Sequence, residues 1–319
     1  MHPLQTLYLL DPQYRERVWG GQRLKPHAPP IGEVWCAYGE SRIRSGPHAG
    51  RTVHDLVLQH GPAFTGEAVA ARFPGSFPLL IKLLDCADWL SVQVHPNDEQ
   101  AVRLEGQGHR GKTEAWHIID ADAGAVILAG VKAGTSATAL AAAIRTGRIL
   151  DVSPSIAVHP GETYLLHAGT MHALGPGLML YEVQQSSDIT YRVYDWDRPA
   201  SAGRELHIEQ AVAVTDPQRQ AIRTSGAVPA DTPSAIAVNC SYFVLEVVHA
   251  TAAPLASSAA GESFHVLTVK SGTVDVRCGD EQIRVETFGT AIVAATAGPY
   301  EIQAVTSSAA VLRARVPQR

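Results

Sequence analysis

The sequence predicts a mainly β protein with a few helices. Apolar and polar residues alternate from Ser91 to His95, which is the period of a half-buried strand. Beyond about residue 234, several short apolar segments are separated by turn residues, a spacing typical of a small barrel or jelly roll. The clearest helical segment lies within 133–148, where alanine, the strongest helix former, predominates.

The remaining elements follow from residue type and punctuation along the chain. Strands are predicted where apolar, β-branched and aromatic residues cluster between turn signals, at 7–10, 31–38, 77–84, 112–119, 161–174 (with a turn), 178–185 and 189–194. Shorter helices are predicted at 53–60, 97–104 and 205–214. Residues 229–234 are rich in Pro, Ala, Thr and Ser and read as a linker, so we expect one domain over 1–228 and a β-barrel domain over 229–319.

Composition limits the classes of function. The 319 residues are 45% hydrophobic and carry a net charge of −5, which indicates a globular protein with no general attraction for nucleic acid or membrane lipid. The four cysteines are scattered without a C-x-x-C pair and predict reduced thiols. Neither a signal peptide nor an apolar run of membrane-spanning length is evident, so we expect a cytoplasmic protein.

Separate predicted strands contribute potential metal ligands. Gln93 and His95 share one strand face, Glu114 lies on a second strand, and His172 follows the turn at Gly169. Two imidazoles, a carboxylate and an amide oxygen form a nitrogen and oxygen set suited to Zn²⁺ or a similar divalent ion. The alternative is that the two histidines are unrelated surface residues, which periodicity alone leaves open.

Several motifs in succession resemble the type I mannose-6-phosphate isomerases, a zinc-dependent family built from cupin folds. The resemblance extends over about 7–214, and its motifs lie at 78–85 (Pro-Leu-Leu-Ile-Lys-Leu-Leu-Asp), 90–96 (Leu-Ser-Val-Gln-Val-His-Pro), 111–114 (Gly-Lys-Thr-Glu), 161–173 and 182–195. It implies two cupin, or jelly-roll, β-barrel domains (a bicupin), with the catalytic one over 1–228. It also implies an enzyme that interconverts mannose 6-phosphate and fructose 6-phosphate through a cis-enediol intermediate.

The same resemblance assigns roles to residues of this chain. One Zn²⁺ per chain would be held by Gln93, His95, Glu114 and His172. The implied catalytic residues are Arg192, Lys112 and Glu182, and the implied substrate-binding residues are Lys82 and Ser91. Lys112 is the first candidate for the base because it is expected to share a strand face with Glu114, beside the metal; Glu182 is the alternative base.

The sequence departs from the family pattern at two places, and two other functions remain open. Gly111 stands where a longer-form relative has a histidine, so a proton-transfer role for that histidine cannot apply here. His167 and Ala168 replace a common Pro-Ser pair. The rival functions are an Fe²⁺ cupin oxygenase and a sugar-binding bicupin without catalysis. The expected partner is a sugar phosphate, with neither nucleic acid nor membrane, and the expected state is a monomer or homodimer.

Overall fold

The computed structural model describes residues 4–199, 204–259 and 262–318 and is mainly β with a few helices, as the sequence predicts. The strands are β1 (Leu7–Leu9), β2 (Gln13–Gly21), β3 (Ile31–Ala37), β4 (Leu79–Cys86), β5 (Val92–Val94), β6 (Glu114–Ala121), β7 (Val126–Ala129), β8 (Ser155–Ala157), β9 (Thr163–Leu166), β10 (His172–Leu174), β11 (Leu178–Gln185), β12 (Tyr191–Tyr194), β13 (Ile222–Ser225), β14 (Ser234–Asn239), β15 (Val244–Ala250), β16 (Leu255–Ser258), β17 (His265–Ser271), β18 (Thr273–Cys278), β19 (Glu281–Glu286), β20 (Thr290–Val293), β21 (Pro299–Ala304) and β22 (Ala309–Arg315). The helices are α1 (Val53–His60), α2 (Pro62–Thr65), α3 (Glu67–Arg72), α4 (Asp98–Glu105), α5 (Ala137–Arg145), α6 (Ile149–Val152) and α7 (Ile208–Val214).

Side-chain caps start three of the predicted helices. At the start of α1, the Thr52 side chain accepts a hydrogen bond from the Asp55 N–H, and the Asp55 side chain accepts one from the Thr52 N–H. Asn97 and Gln100 form the same reciprocal pair at the start of α4. Ser136 caps α5. Some elements differ from the prediction: β6 begins at Glu114 and α7 at Ile208, both later than predicted, and the sequence predicts no strand at β2 or β7.

The chain forms two compact units that interleave in sequence. We call 1–15, 34–83 and 227–319 the terminal unit, and 16–33 and 84–226 the central unit. Among the described residues, no helix is both long and apolar enough to cross a membrane. The domain boundary at residue 228 stays a prediction.

Two antiparallel sheets make the core of the terminal unit. One has the order β1-β20-β17-β22-β15-β14, and the other has the order β16-β21-β18-β19. Side chains from both sheets meet in one buried apolar cluster, to which Val248, Val311 and Ile302 contribute. Partly or fully buried residues alternate with exposed ones along β16 and β19, which fits strands with one face on this core.

The central unit also places apolar side chains between sheets. Its five-stranded sheet has the order β12-β5-β10-β7-β8, and strands β13, β9, β6 and β11 are neighbours in a second sheet. Ile127 and Leu174 of the first pack with Trp116 and Leu180 of the second. The strand pairings of the described residues form open sheets, so the closed two-barrel arrangement stays a prediction.

Replacing Ile302 with alanine should lower the free energy of unfolding by about 2–5 kcal/mol, because the substitution leaves a cavity in the core of the terminal unit. Ile236→Ala is the matched control: this side chain is 55% exposed on β14, and its loss should cost less than about 1 kcal/mol. Urea unfolding of the two variants measures the difference. Equal losses would contradict the packing described for this core.

Candidate functional site

Neighbouring strands of the central unit place three polar side chains on one sheet face. His172 of β10 lies directly opposite Gln93 of β5, and Gln93 lies opposite Arg192 of β12. Side chains of directly opposed residues in antiparallel strands point to the same side of the sheet. Gln93 is therefore flanked by an imidazole and a guanidinium, and the predicted ligand pair of Gln93 and His172 is brought together.

Glu114 completes a buried cluster with His95 and His172. Candidate ligand atoms of these three side chains all lie within 4.8 Å of one another. Glu114 Oε1 is 3.2 Å from His172 Nε2, and Glu114 Oε2 is 3.5 Å from His95 Nε2. Each residue is at most 1% exposed. The structure thus assembles three of the four predicted ligands from positions far apart in the sequence.

The hydrogen bonds of the two imidazoles direct their lone pairs towards Glu114. His95 Nδ1 is 2.8 Å from the Ile189 carbonyl, and His172 Nδ1 is 2.8 Å from the Thr170 carbonyl. Since a carbonyl only accepts, each Nδ1 must donate, and a neutral ring then carries its lone pair on Nε2. Burial lowers the pKa of His172, which favours that neutral form.

This arrangement fits a bound divalent cation. The buried atoms Glu114 Oε1 and His172 Nε2 have no hydrogen-bond partner in the described residues, although they face each other. Two acceptors at this distance repel unless a cation lies between them, and burying them without compensation is costly. Imidazole nitrogen and carboxylate oxygen are ordinary ligands of Zn²⁺.

Lys112 lies beside this cluster but not on the strand. Its N–H donates to the Pro96 carbonyl, which holds the residue in the loop before β6 and corrects the expected shared strand face with Glu114. The buried Nζ nevertheless reaches 2.9 Å from Glu114 Oε2 and 3.1 Å from His95 Nε2. A Cβ at Gly111 would lie 2.5 Å from the Asn97 carbonyl carbon, so close packing requires glycine there.

Arg192 is held at the edge of the same sheet face. Its Nε donates to the Ser91 hydroxyl at 3.2 Å, and its Nη1 donates to the Glu205 carbonyl at 2.7 Å. Burial, and next the charge of Arg204, lowers the pKa of Arg192. The guanidinium is therefore partly shielded from solvent and fixed in direction, which suits recognition of an anionic group.

Trp116 connects Glu182 to the metal-ligand candidates, because it contacts both Glu182 and His172. Glu182 lies opposite Trp116 in the β11–β6 pair, and its buried Oε1 accepts a hydrogen bond of 3.0 Å from Trp116 Nε1. The Trp116 ring in turn makes an edge contact with the His172 ring, with 5.3 Å between centroids. The sequence pattern gives no sign of this contact, because the pairing of β6 with β11 brings the indole and the carboxylate together, and an indole buried beside a carboxylate usually donates.

Lys82 is the one predicted site residue that lies in the terminal unit. It is buried on β4, and its Nζ lies 5.6 Å from the centroid of the Trp35 ring. A cation at this distance from an aromatic ring is stabilised by the π electrons. The predicted role in substrate binding is not tested by this contact.

Comparisons with known proteins agree on one family. The model of the phosphomannose isomerase type I catalytic domain matches residues 7–117. A mannose-6-phosphate isomerase of Streptococcus mutans is 40% identical over 217 residues, which span 64% of this chain and 66% of that relative. The crystal structure of the mannose 6-phosphate isomerase from Bacillus subtilis superposes with a TM-score of 0.85 at 30% identity, covering 97% of this chain and 99% of that one.

A second solved structure shows the same fold at greater distance. It is a mannose 6-phosphate isomerase described as holo and zinc bound, with a TM-score of 0.78 and 17% identity over 98% of this chain and all of that one. At this level of identity the likeness concerns the fold alone.

The cluster predicts selective loss of metal from one histidine variant. His172→Gln should weaken zinc binding by about 100-fold or more, because it removes the Nε2 lone pair that faces Glu114. His117→Gln is the matched control: His117 is equally buried, but it is bonded to the Thr163 hydroxyl and lies opposite Thr163, away from the cluster. Metal content by plasma mass spectrometry after dialysis against zinc gives the readout. Equal zinc in both variants would exclude His172 as a ligand.

Proposed function

The chain belongs to the type I phosphomannose isomerase family, and we propose that it interconverts mannose 6-phosphate and fructose 6-phosphate through a cis-enediol. The observation that carries this proposal is the buried His95–Glu114–His172 cluster with a lysine ammonium in contact with it. The reaction moves a proton between C2 and C1 of the open-chain sugar. It needs a base, stabilisation of the negative oxygens that develop, and recognition of the phosphate.

We propose that the cluster and Gln93 hold one Zn²⁺ per chain. The neutral Nε2 atoms and the Glu114 carboxylate supply three ligands, and Gln93 stands next to His172 on the neighbouring strand, where its amide oxygen would be the fourth. When bound, the ion supplies a Lewis acid that polarises the sugar oxygens. Because these residues are buried, competing bulk water is kept from the reacting carbons.

Lys112 is our first choice for the base. Its Nζ lies among the groups that would surround the ion, and from there an amine could take the proton from one carbon and return it to the other. Glu182 is the alternative, because its carboxylate is buried in the same region and is held by Trp116. The loop that carries Lys112 leaves no space for a side chain at Gly111, so that position supplies no base.

Arg192 and Ser91 would stabilise and orient the substrate. The guanidinium is held by the Ser91 hydroxyl and the Glu205 carbonyl, so its planar charge is fixed before the substrate arrives. It can pair with the enediolate oxygens or, in a bidentate manner, with the phosphate. Lys82 adds a second cation for substrate binding in this proposal.

We propose two cupin barrels, a catalytic one over 1–228 and a second over 229–319; the two stacked sheets around the apolar core of the terminal unit support a jelly-roll arrangement there. We further propose a cytoplasmic enzyme, monomeric or homodimeric, that acts on a small sugar phosphate.

Chelation should abolish turnover, and zinc should restore it. The assay couples fructose 6-phosphate formation from mannose 6-phosphate to a dehydrogenase, with metal analysis of the same sample. The reason for the expected loss is the need for a cation between the facing acceptors of Glu114 and His172. Zinc-loaded protein without turnover on either sugar phosphate would contradict the proposed reaction.

The two base candidates can be separated by substitution. Lys112→Met should lower kcat by about 10²–10⁴-fold, the usual contribution of a positioned proton-transfer group, whereas Glu182→Gln should have a smaller effect because the amide can still accept from Trp116. Solvent deuterium incorporation at C1 and C2 reports the proton-transfer step in each variant. Normal turnover by Lys112→Met would exclude Lys112 as the base.

A further inference from the structure

A buried charged cluster follows strand β12, immediately after the backbone that carries Arg192. The Asp195 carboxylate is 6% exposed and accepts from Arg204, with Nε at 2.6 Å and Nη2 at 3.1 Å. Arg198 Nη1 donates to the same carboxylate at 2.9 Å. Two arginines thus converge on one buried carboxylate, an arrangement that is strong because each donor is charged and the Arg204 contact is bidentate.

The Arg204 contact anchors the segment that touches Arg192. One residue after Arg204, the Glu205 carbonyl accepts from Arg192 Nη1. His207 continues this contact, because its N–H donates to the Arg192 carbonyl at 2.7 Å and its Nδ1 accepts from the Arg192 N–H at 3.2 Å. Residues 204–207 therefore hold both the guanidinium and the backbone of Arg192.

The Arg198 contact anchors the other side of Arg192. Trp196 and Asp197 both have left-handed backbone conformations, with φ of 55° and 54°, which cost energy and persist only where surrounding contacts hold them. Two hydrogen bonds fix this turn to the two residues that precede Ser91. Arg198 donates to the Trp89 carbonyl at 2.7 Å, and Trp196 Nε1 donates to the Leu90 carbonyl at 2.7 Å. The next residue, Ser91, is the second partner of the Arg192 guanidinium.

We propose that Asp195 is a positioning residue for Arg192. Both partners of the guanidinium, Ser91 and the Glu205 carbonyl, belong to segments that Asp195 ties together through Arg198 and Arg204. Asp195 also neutralises Arg204, whose charge otherwise repels the Arg192 guanidinium. Loss of the Asp195 charge releases residues 204–207, and the Arg192 guanidinium then turns away from the orientation that catalysis needs. The inference rests on the proposed function, because it assigns Arg192 a task in the isomerase reaction.

Asp195→Asn should lower kcat by about 10- to 100-fold with little change in KM, since misdirection of a fixed charge weakens binding of the transition state more than of the substrate. Asp197→Asn is the matched control: it is an exposed aspartate in the same turn, and asparagine tolerates its left-handed conformation. Its kcat should stay close to that of the wild type.

A double-mutant cycle separates positioning from a general loss of structure. In an Arg192→Ala background, Asp195→Asn should cause no further loss of kcat/KM, while its effect on the melting temperature should persist in both backgrounds. The inference would be overturned if the double variant lost kcat/KM by the product of the losses in the two single variants. Arg204→Gln provides a second variant that leaves Asp195 paired with Arg198, and it should show the same non-additive loss with a milder change in stability.

The outcomes for the two proposals are distinct. A wild-type enzyme that turns over mannose 6-phosphate while Asp195→Asn and Arg204→Gln retain its kcat overturns only the positioning role. A zinc-loaded wild type without turnover overturns the proposed function and, with it, the task assigned to Arg192.

Discussion

The candidate site of the central unit depends on one buried carboxylate, Glu114, that faces two imidazole nitrogens. Removing Glu114 from water costs several kcal/mol unless cations or hydrogen bonds compensate for it. Lys112 compensates one oxygen, whereas the other faces His172 Nε2, which is also an acceptor. Three strands and two backbone carbonyls hold this set in place, and a bound cation would compensate the facing acceptors.

Buried polar groups in the terminal unit behave differently and provide an internal comparison. His265 is also buried on a strand, but its Nδ1 lies 2.7 Å from the Tyr300 hydroxyl, and burial lowers its pKa to about 3. Arg313 contacts the same hydroxyl and pairs with Glu246 at 2.9 Å. These groups satisfy one another, as buried polar groups of a structural core usually do. Glu114 Oε1 and His172 Nε2, in contrast, face each other with no hydrogen-bond partner in the described part of the chain, which is the physical difference between a structural polar network and a ligand site.

The groups around the metal ligands are held by their own local constraints. Lys112 is held by the contact of its N–H with Pro96 and by the close approach of Gly111 to Asn97, and Arg192 is held by Ser91 and the 204–207 segment. Holding charged groups in a fixed direction costs stability in the folded protein and removes the cost of orienting them during a reaction. The left-handed turn at Trp196 and Asp197 is held locally as well, by the hydrogen bonds of the Trp196 indole and of Arg198 to backbone carbonyls.

The sequence by itself determined the mainly β class, most of the helices and strands, and the identity of the metal-ligand candidates. Alternation along 91–95 and the capping residues Thr52, Asn97 and Ser136 are local signals, which depend only on near neighbours in the chain. The family motifs are local signals too, because each is a short run of neighbouring residues, and their order along the chain identifies the family.

Only the tertiary structure decided how these groups meet. The carbonyls of Ile189 and Thr170 that set the imidazole tautomers carry no sequence signal, since every residue has a carbonyl. Lys112 lies off the strand because its N–H bonds to Pro96, and Asp195 connects Arg198 and Arg204 to the neighbours of Arg192. Such contacts depend on strand pairing and loop packing between residues far apart in the chain, and periodicity within one segment contains no information about them.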